Sequence, residues 1–422
     1  MFDKPTQFYK KQFYLPAIEY REKGEKIMEF AGIIAEYDPF HNGHAAQLQM
    51  LRAQGVGRIA VCISAAAVQR GGFPLLPEPV RVQAALQAGA DLVAALPAPY
   101  ACLGAEGFAA AGVALLTALG CDTLAFGAET PDAGLLMRAA RLVDSPALAE
   151  GLQRHLAGGA TFAAARAAAA EELEPGTGAL LASPNNILGV EYCKAILRQG
   201  SHLQPLPLPR LAAGHGTAET GAIQGRPVAS ASYLRELAWG QGLDAALEFV
   251  PAQAAALYRA SADRGELLDP DKFSVAVLSR LRGQGRQQLA AVRGLSEGLE
   301  NRLYAAVQKA ATVQELYDLL KTRRYPHARL RRLVLDAALG VTEGLVPQTP
   351  PYLHVLGARR QALGALRYAA LPAGTSLAEL ARGSAPAEAV AQLHGAFADL
   401  SALCRQRPMP AGLAFTAKPV II

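Results

Sequence analysis

Two histidines, His41 and His44, flank Gly43 in the run Glu36-Tyr37-Asp38-Pro39-Phe40-His41-Asn42-Gly43-His44. The apolar run before it, Phe30-Ala31-Gly32-Ile33-Ile34-Ala35, reads as a buried parallel strand, and the stretch Ala45 to Leu51 after it reads as a helix. The pair therefore sits at a strand-to-helix turn, where free backbone N–H groups and the helix dipole gather an anion. Gly43 lacks a Cβ and lets a phosphate approach the backbone closely. Imidazole N–H groups can donate to its oxygens. A His-x-x-His fragment also occurs in metal sites, but those need a third ligand and usually histidines four apart on one helical face. No Cys or Asp cluster accompanies this pair, so no metal ligands are assigned and phosphate handling is expected.

A second signal is Val228-Ala229-Ser230-Ala231-Ser232-Tyr233-Leu234-Arg235. Ser230 and Ser232 open a helix, where hydroxyls and free N–H groups can hold phosphate oxygens, and Arg235 adds a fork of donors one turn later. Taken alone, the same residues read as an ordinary helix cap with a surface arginine. A third signal is the basic run from Lys321 to Arg332, which carries Arg323, Arg324, Tyr325, Arg329, Arg331 and Arg332. Clustered positive charge beside a tyrosine suits phosphate contact and base stacking of RNA, and a solvated helix face is the alternative. Arg280, Arg282 and Arg286 could extend the patch.

Around these signals short apolar runs alternate with helical stretches. Strands are expected at 58–64, 91–96, 121–127 and 203–209, and helices at 45–54, 79–88, 106–119 and 135–143. That alternation predicts an α/β fold with a parallel, Rossmann-like sheet and right-handed crossovers. Residues 146–173 read as helix, and another helix follows Asn186. After Ala238 the strand pattern gives way to helices through about residue 340, and a Pro-rich start at Pro347 opens a small last region with a strand-like Tyr352–Leu356. The expected organisation is an extension at 1–27, a nucleotide-binding domain at 28–240, a helical RNA-binding region at 241–343 and a small C-terminal region at 344–422. The extension holds half of the chain's lysines and directly precedes Met28. Translation is accordingly expected to start at Met28, with a basic tail as the alternative.

The chain has 422 residues, a net charge of +5 and 51 % hydrophobic residues, much of that share Ala and Gly. The charge is too small for a general nucleic-acid coat but leaves room for a local patch. No uninterrupted apolar run reaches membrane-spanning length, and the five cysteines form no CxxC pair or disulfide framework. A soluble, cytoplasmic protein with no membrane association is expected, and no protein partner is inferred.

An HxGH turn followed by a Ser-rich helix start resembles the nucleotidyltransferase superfamily. In that chemistry a nucleophilic oxygen attacks the α-phosphorus of ATP and pyrophosphate leaves. More closely, the chain resembles the bacterial tRNA(Met) cytidine acetate ligase family from Met28 to about Leu371. The resemblance rests on Gly32–His44, Val68-Gln69-Arg70-Gly71, Phe126-Gly127-Ala128-Glu129, Ser183–Tyr192, Val228–Arg235, Glu297–Arg302, Arg324-Tyr325 with Arg329–Arg332, and Pro351–Gly357. It implies adenylation of acetate and transfer of the acetyl group to the wobble cytidine of elongator tRNA(Met), with ATP and Mg²⁺ as cofactors. It also implies an ATP-binding turn made of Ile34, Ala35, Glu36, Tyr37, Asp38, Pro39, Phe40, His41, Asn42, Gly43, His44 and Gln47. Gly127, Asn185 and Arg210 would complete the site. Each of those three has a plain alternative, as a turn glycine, a helix cap and a solvated strand end. His215 is a weaker candidate, since the pattern is shortened there.

The chain departs from the family in three places. Asp38 stands where the family usually has Asn, Glu78 replaces a lysine, and Ala95 replaces an acid in the third strand. A carboxylate at Asp38 would favour Mg²⁺ or weaken ATP binding, and Glu78 bears on catalysis if that lysine contacts substrate. Two other functions stay open at this point: a nucleotidyltransferase or carboxylate–amine ligase acting on a small molecule, and an ATP- and tRNA-binding protein with impaired catalysis.

Overall fold

The computed structural model describes residues 29–210, 220–223, 225–295, 298–322 and 325–422. The expectations for the N-terminal extension, for His215, and for Arg323 and Arg324 lie outside the described residues. The strands are β1 (Phe30–Ala35), β2 (Arg58–Ser64), β3 (Leu92–Leu96), β4 (Thr123–Ala128), β5 (Gln204–Pro209), β6 (Gly221–Ile223), β7 (Arg226–Val228), β8 (Leu353–Ala358), β9 (Ala373–Gly374) and β10 (Val420–Ile421). Five of them form a parallel core in the order β3-β2-β1-β4-β5. The order reverses between β1 and β4, as in doubly wound nucleotide-binding sheets. The α/β expectation from the alternating pattern is what folds.

These strands are apolar nearly throughout because both faces are covered. Along β1 the side chains alternate: Phe30 and Ile34 join one core, Ala31 and Ile33 the other. On the first face lie the helices Ala105–Leu119, Ala133–Val143 and Pro184–Gln199. On the second lie Asn42–Ala53, Glu78–Gln87, Ala231–Gly240 and Ala252–Asp263. The stretch read as one helix at 146–173 is a pair of packed helices, Pro146–Ala157 and Phe162–Leu173, broken at Gly158 and Gly159.

Helices Pro270–Arg282, Leu299–Lys309, Val313–Leu320 and His327–Leu339 build a core of their own around Leu281, Leu303, Leu316 and Leu330. The earlier helix Ala252–Asp263 instead packs on the sheet domain. The segment after residue 344 does not stay apart. Its strand β8 pairs antiparallel with β3, and β10 pairs with β8, so the last region widens the central sheet. Pairing between segments so distant in sequence leaves no local pattern to read.

Candidate functional site

Strands β1 and β4 pair only at Ala31–Thr123 and Gly32–Leu124, whereas β1 with β2 and β4 with β5 stay paired to their ends. Beyond Gly32 the two strands part, and a cavity of about 400 Å³ opens at their carboxyl ends. This is the crevice where ligands bind in open α/β sheets, and its volume falls within the usual range for small-molecule sites. Four helices begin at its wall, contributing Gly43 and His44, Ala105 and Phe108, Pro184 and Asn185, and Ser230 with Ala231 and Ser232. Each N-terminus offers about half a positive charge. Convergence of several favours a polyanion.

The two histidines close the start of the first helix on each other. His41 is the N-cap: its Nδ1 accepts from the Gly43 N–H at 3.1 Å, and His44 Nδ1 accepts from the His41 N–H at 3.3 Å. Both Nδ1 atoms are therefore acceptors, which leaves each neutral ring its proton on Nε2 as a donor. The rings stack with centroids 3.7 Å apart. Burial, reinforced by the charges of Arg210 and Arg235, pushes His41 down to about 3. Burial followed by His41 and Arg210 holds His44 well below its ordinary value. Gly43 makes room for the His41 ring: a Cβ there would lie 3.0 Å from His41 Cε1.

Of the turn residues, Ile34, Ala35, Glu36, Tyr37, Asp38, His41, Gly43, His44 and Gln47 line the cavity, as do Gly127, Asn185, Arg210, Ser230 and Ser232. Pro39, Phe40, Asn42 and Arg235 do not. Asn42 is buried and donates from Nδ2 to the carbonyls of Pro227 (2.8 Å) and Glu248 (3.4 Å), pinning the helix start to β7 and to the 3-10 helix Leu243–Phe249. Arg235 turns inward to the Asp38 carbonyl and lies 3.4 Å from its Oδ2. Asp38 also accepts from the Leu75 N–H at 2.7 Å and faces Arg70 at 3.5 Å. Its charge is thus answered inside the protein. Glu78 opens the helix Glu78–Gln87 and is not part of the cavity wall.

Arg210 reaches Glu129 (3.3 Å), and Asn185 Nδ2 donates to the same carboxylate (2.7 Å), which also receives the Asn186 N–H (2.9 Å). Burial pushes the Glu129 pKa up, but the donors from Asn185 and Asn186 outweigh it and hold the carboxyl below its ordinary range. Ser230 caps its helix by accepting from the Tyr233 N–H at 3.3 Å. Sequence reasoning passed over Glu129, Gln69 and Arg70 as site residues, although all three stand in blocks that carry the family resemblance. Arg70 lines the cavity and binds Glu36 at 2.7 Å. Phe108, Phe126, Leu188 and Tyr192 supply an apolar wall; none was named as a site residue, and Phe108 lies outside every block of the resemblance.

In the basic run, Tyr325 is buried in the helical core, with Arg329 stacked over its ring at 4.8 Å. A base-stacking role for Tyr325 is thereby corrected: its burial closes off the ring. Arg331 lies over Tyr317 at 5.8 Å, and Arg332 donates to the Gln69 carbonyl at 2.9 Å. Arg332 thus joins the helical region to a loop that borders the cavity. Among the described residues no group of three or more His, Cys, Asp or Glu could hold a metal, and no helix is long and apolar enough to cross a membrane.

The family model for HIGH Nucleotidyl Transferase matches residues 28–378. A protein of Syntrophotalea carbinolica named tRNA(Met) cytidine acetate ligase is 36 % identical over 81 % of this chain and 83 % of its own length. The Bacillus subtilis protein of the same name is 34 % identical over 78 % of this chain and 82 % of its own length. Crystal structures of Thermotoga maritima TmcAL share the fold. The apo form superposes with a TM-score of 0.85 at 23 % identity, covering 94 % of this chain and all of that one. A form bound with alpha-thio ATP gives a TM-score of 0.84 at 24 % identity over the same shares. The chain belongs to the HIGH nucleotidyl transferase family and, within it, to the tRNA(Met) cytidine acetate ligases.

Proposed function

We propose that this protein activates acetate with ATP and transfers the acetyl group to the exocyclic amine of the wobble cytidine of elongator tRNA(Met). The observation that carries this is the pair of neutral imidazoles, both with Nε2 free to donate, where four helix N-termini meet in a chain of this family. An acetate oxygen attacks the α-phosphorus of ATP, and pyrophosphate leaves to give acetyl-adenylate. The cytidine amine then attacks the acetyl carbonyl, AMP leaves, and the amine loses a proton. His41 and His44 donate to phosphoryl oxygens as charge shifts onto the leaving group. Gly127, Asn185, Arg210, Ser230 and Ser232 complete the nucleotide site, and Arg329, Arg331 and Arg332 face the tRNA from the helical region.

ATP enters in this reading as its Mg²⁺ complex. The nearby carboxylates Glu36 and Asp38 are already held by Arg70, Arg235 and the N–H groups of Gln69 and Leu75. They do not fit a role as ligands of the ion. The cytoplasm suits a protein whose five cysteines are all free and buried.

The test is incubation with ATP, labelled acetate and elongator tRNA(Met), followed by digestion of the RNA. Labelled acetylcytidine supports the proposal. Acetate-dependent pyrophosphate exchange without label on RNA would assign a different acceptor.

A further inference from the structure

Three carbonyls of the HxGH turn, on alternate residues, are each gripped from beneath by a buried side chain of a different helix. Arg81, fully buried in helix Glu78–Gln87, donates to the Glu36 carbonyl at 2.8 Å. Its other donors go to the carbonyls of Ser64 (2.8 Å), Ala65 and Leu76 (3.2 Å). Arg235, from helix Ala231–Gly240, donates to the Asp38 carbonyl. Tyr258, from helix Ala252–Asp263, donates its hydroxyl to the Phe40 carbonyl at 2.8 Å. Between the first two grips sits Tyr37 at φ +48°, a left-handed conformation costly for a residue with a Cβ, which persists only where its surroundings enforce it.

We propose that Arg81, Arg235 and Tyr258 are positioning residues that hold this turn in its phosphate-binding shape, and that Arg235 acts through Asp38 instead of touching a phosphate. A peptide unit is rigid, so fixing its carbonyl aims the N–H on its other side. The peptide that Tyr258 holds at Phe40 carries the His41 N–H, and that N–H is what His44 Nδ1 accepts. Tyr258 therefore sets the ring of His44 through one peptide plane. Arg235 is buried, does not line the cavity, and lies between the Asp38 carbonyl and its carboxylate. The inference rests on reading the cavity as the ATP site.

The test compares Tyr258→Phe and Arg235→Gln with wild type in two measurements: affinity for ATP against AMP, and kcat for acetate-dependent pyrophosphate exchange. Displacing reacting groups by about an ångström costs up to about 100-fold in rate. Both variants are therefore expected to lose roughly 10- to 100-fold in kcat while the ratio of ATP to AMP affinity stays unchanged. A β- or γ-phosphate ligand would behave otherwise: Arg235→Gln would weaken ATP and leave AMP alone, and that result overturns the inference. Full kcat in folded Tyr258→Phe also overturns it. Since Arg235→Gln removes one of the two arginines facing the Asp38 carboxylate, Asp38→Asn is added to it. Thermal stability should return in the double variant while the lost kcat does not, and recovery of both would reduce Arg235 to a structural ion pair. If wild type binds ATP and AMP but shows no acetate-dependent exchange, the acetate reading fails, and the affinity ratio still decides the role of Arg235.

Discussion

At the scale of single residues, the site depends on where two protons sit. His41 and His44 are neutral donors because backbone N–H groups occupy both Nδ1 atoms and because burial opposes a charge. His41→Ala removes one donor to the transferring phosphoryl group and the N-cap together. Acetate-dependent exchange should fall by at least about 100-fold, with tRNA affinity measured by filter binding largely intact; unchanged exchange would refute the phosphate role. The spacing of these histidines was legible because strand, turn and helix are adjacent in the chain. The fates of Asn42 and Arg235 were not. Asn42 meets Pro227, and Arg235 meets Asp38, across separations that no local pattern encodes. Both read as ligands by type, and the geometry ties each of them to the protein's own backbone. Glu129 was missed for the complementary reason: an acid reads as a poor neighbour for a polyphosphate until its partners, Asn185 and Arg210, are seen.

At the scale of elements, the seam between sheet domain and helical region is tightest at one glycine. Gly71 adopts φ +82°, and a Cβ there would lie 2.4 Å from the Arg332 backbone nitrogen. Just before it Arg70 ties down Glu36, and the Gln69 carbonyl receives Arg332. Gly71→Ala should destabilise the fold by about 1–3 kcal/mol through strain alone, read as a lower midpoint in urea. It should also impair exchange, because the clash pushes on the loop that carries Arg70. Arg331 lies on the same helix without a bond to that loop in its side chain, so it separates RNA contact from chemistry. Arg331→Gln is expected to weaken tRNA binding and lower the slope of log affinity against log salt by about 1, with exchange in the absence of tRNA unchanged. An unaltered salt slope would remove Arg331 from the RNA surface. The parallel strands were legible from their continuous apolar runs. Tyr325 was not, since a tyrosine beside arginines looks alike in sequence whether its ring meets a base or a hydrophobic core.

At the scale of the whole molecule, the last region is part of the sheet that forms the site, and buried histidines run through both. His354 lies on β8, and His394 lies on helix Ala385–Leu403, where its Nδ1 accepts from the Ala98 N–H at 3.1 Å. Burial pushes His354 down to about 4, and burial together with His354 pushes His394 down to about 3. With His41 and His44, four imidazoles are thus held neutral in the folded state. An unfolded chain would protonate them near their ordinary value of about 6.5. The sign follows from linkage: below that pH the unfolded state binds more protons, so stability falls as pH falls. The contribution is complete above about 6.5 and is lost progressively toward 3 to 4, where the folded forms of His41, His354 and His394 would titrate. Thermal melting followed from pH 8 to pH 4 should therefore show a steep acid limb beginning near 6.5. His394→Asn keeps an acceptor for the Ala98 N–H and removes a proton-binding site, so it should flatten that limb while changing the midpoint at pH 8 much less. An acid limb of undiminished slope in that variant would remove His394 from the groups that set the acid lability.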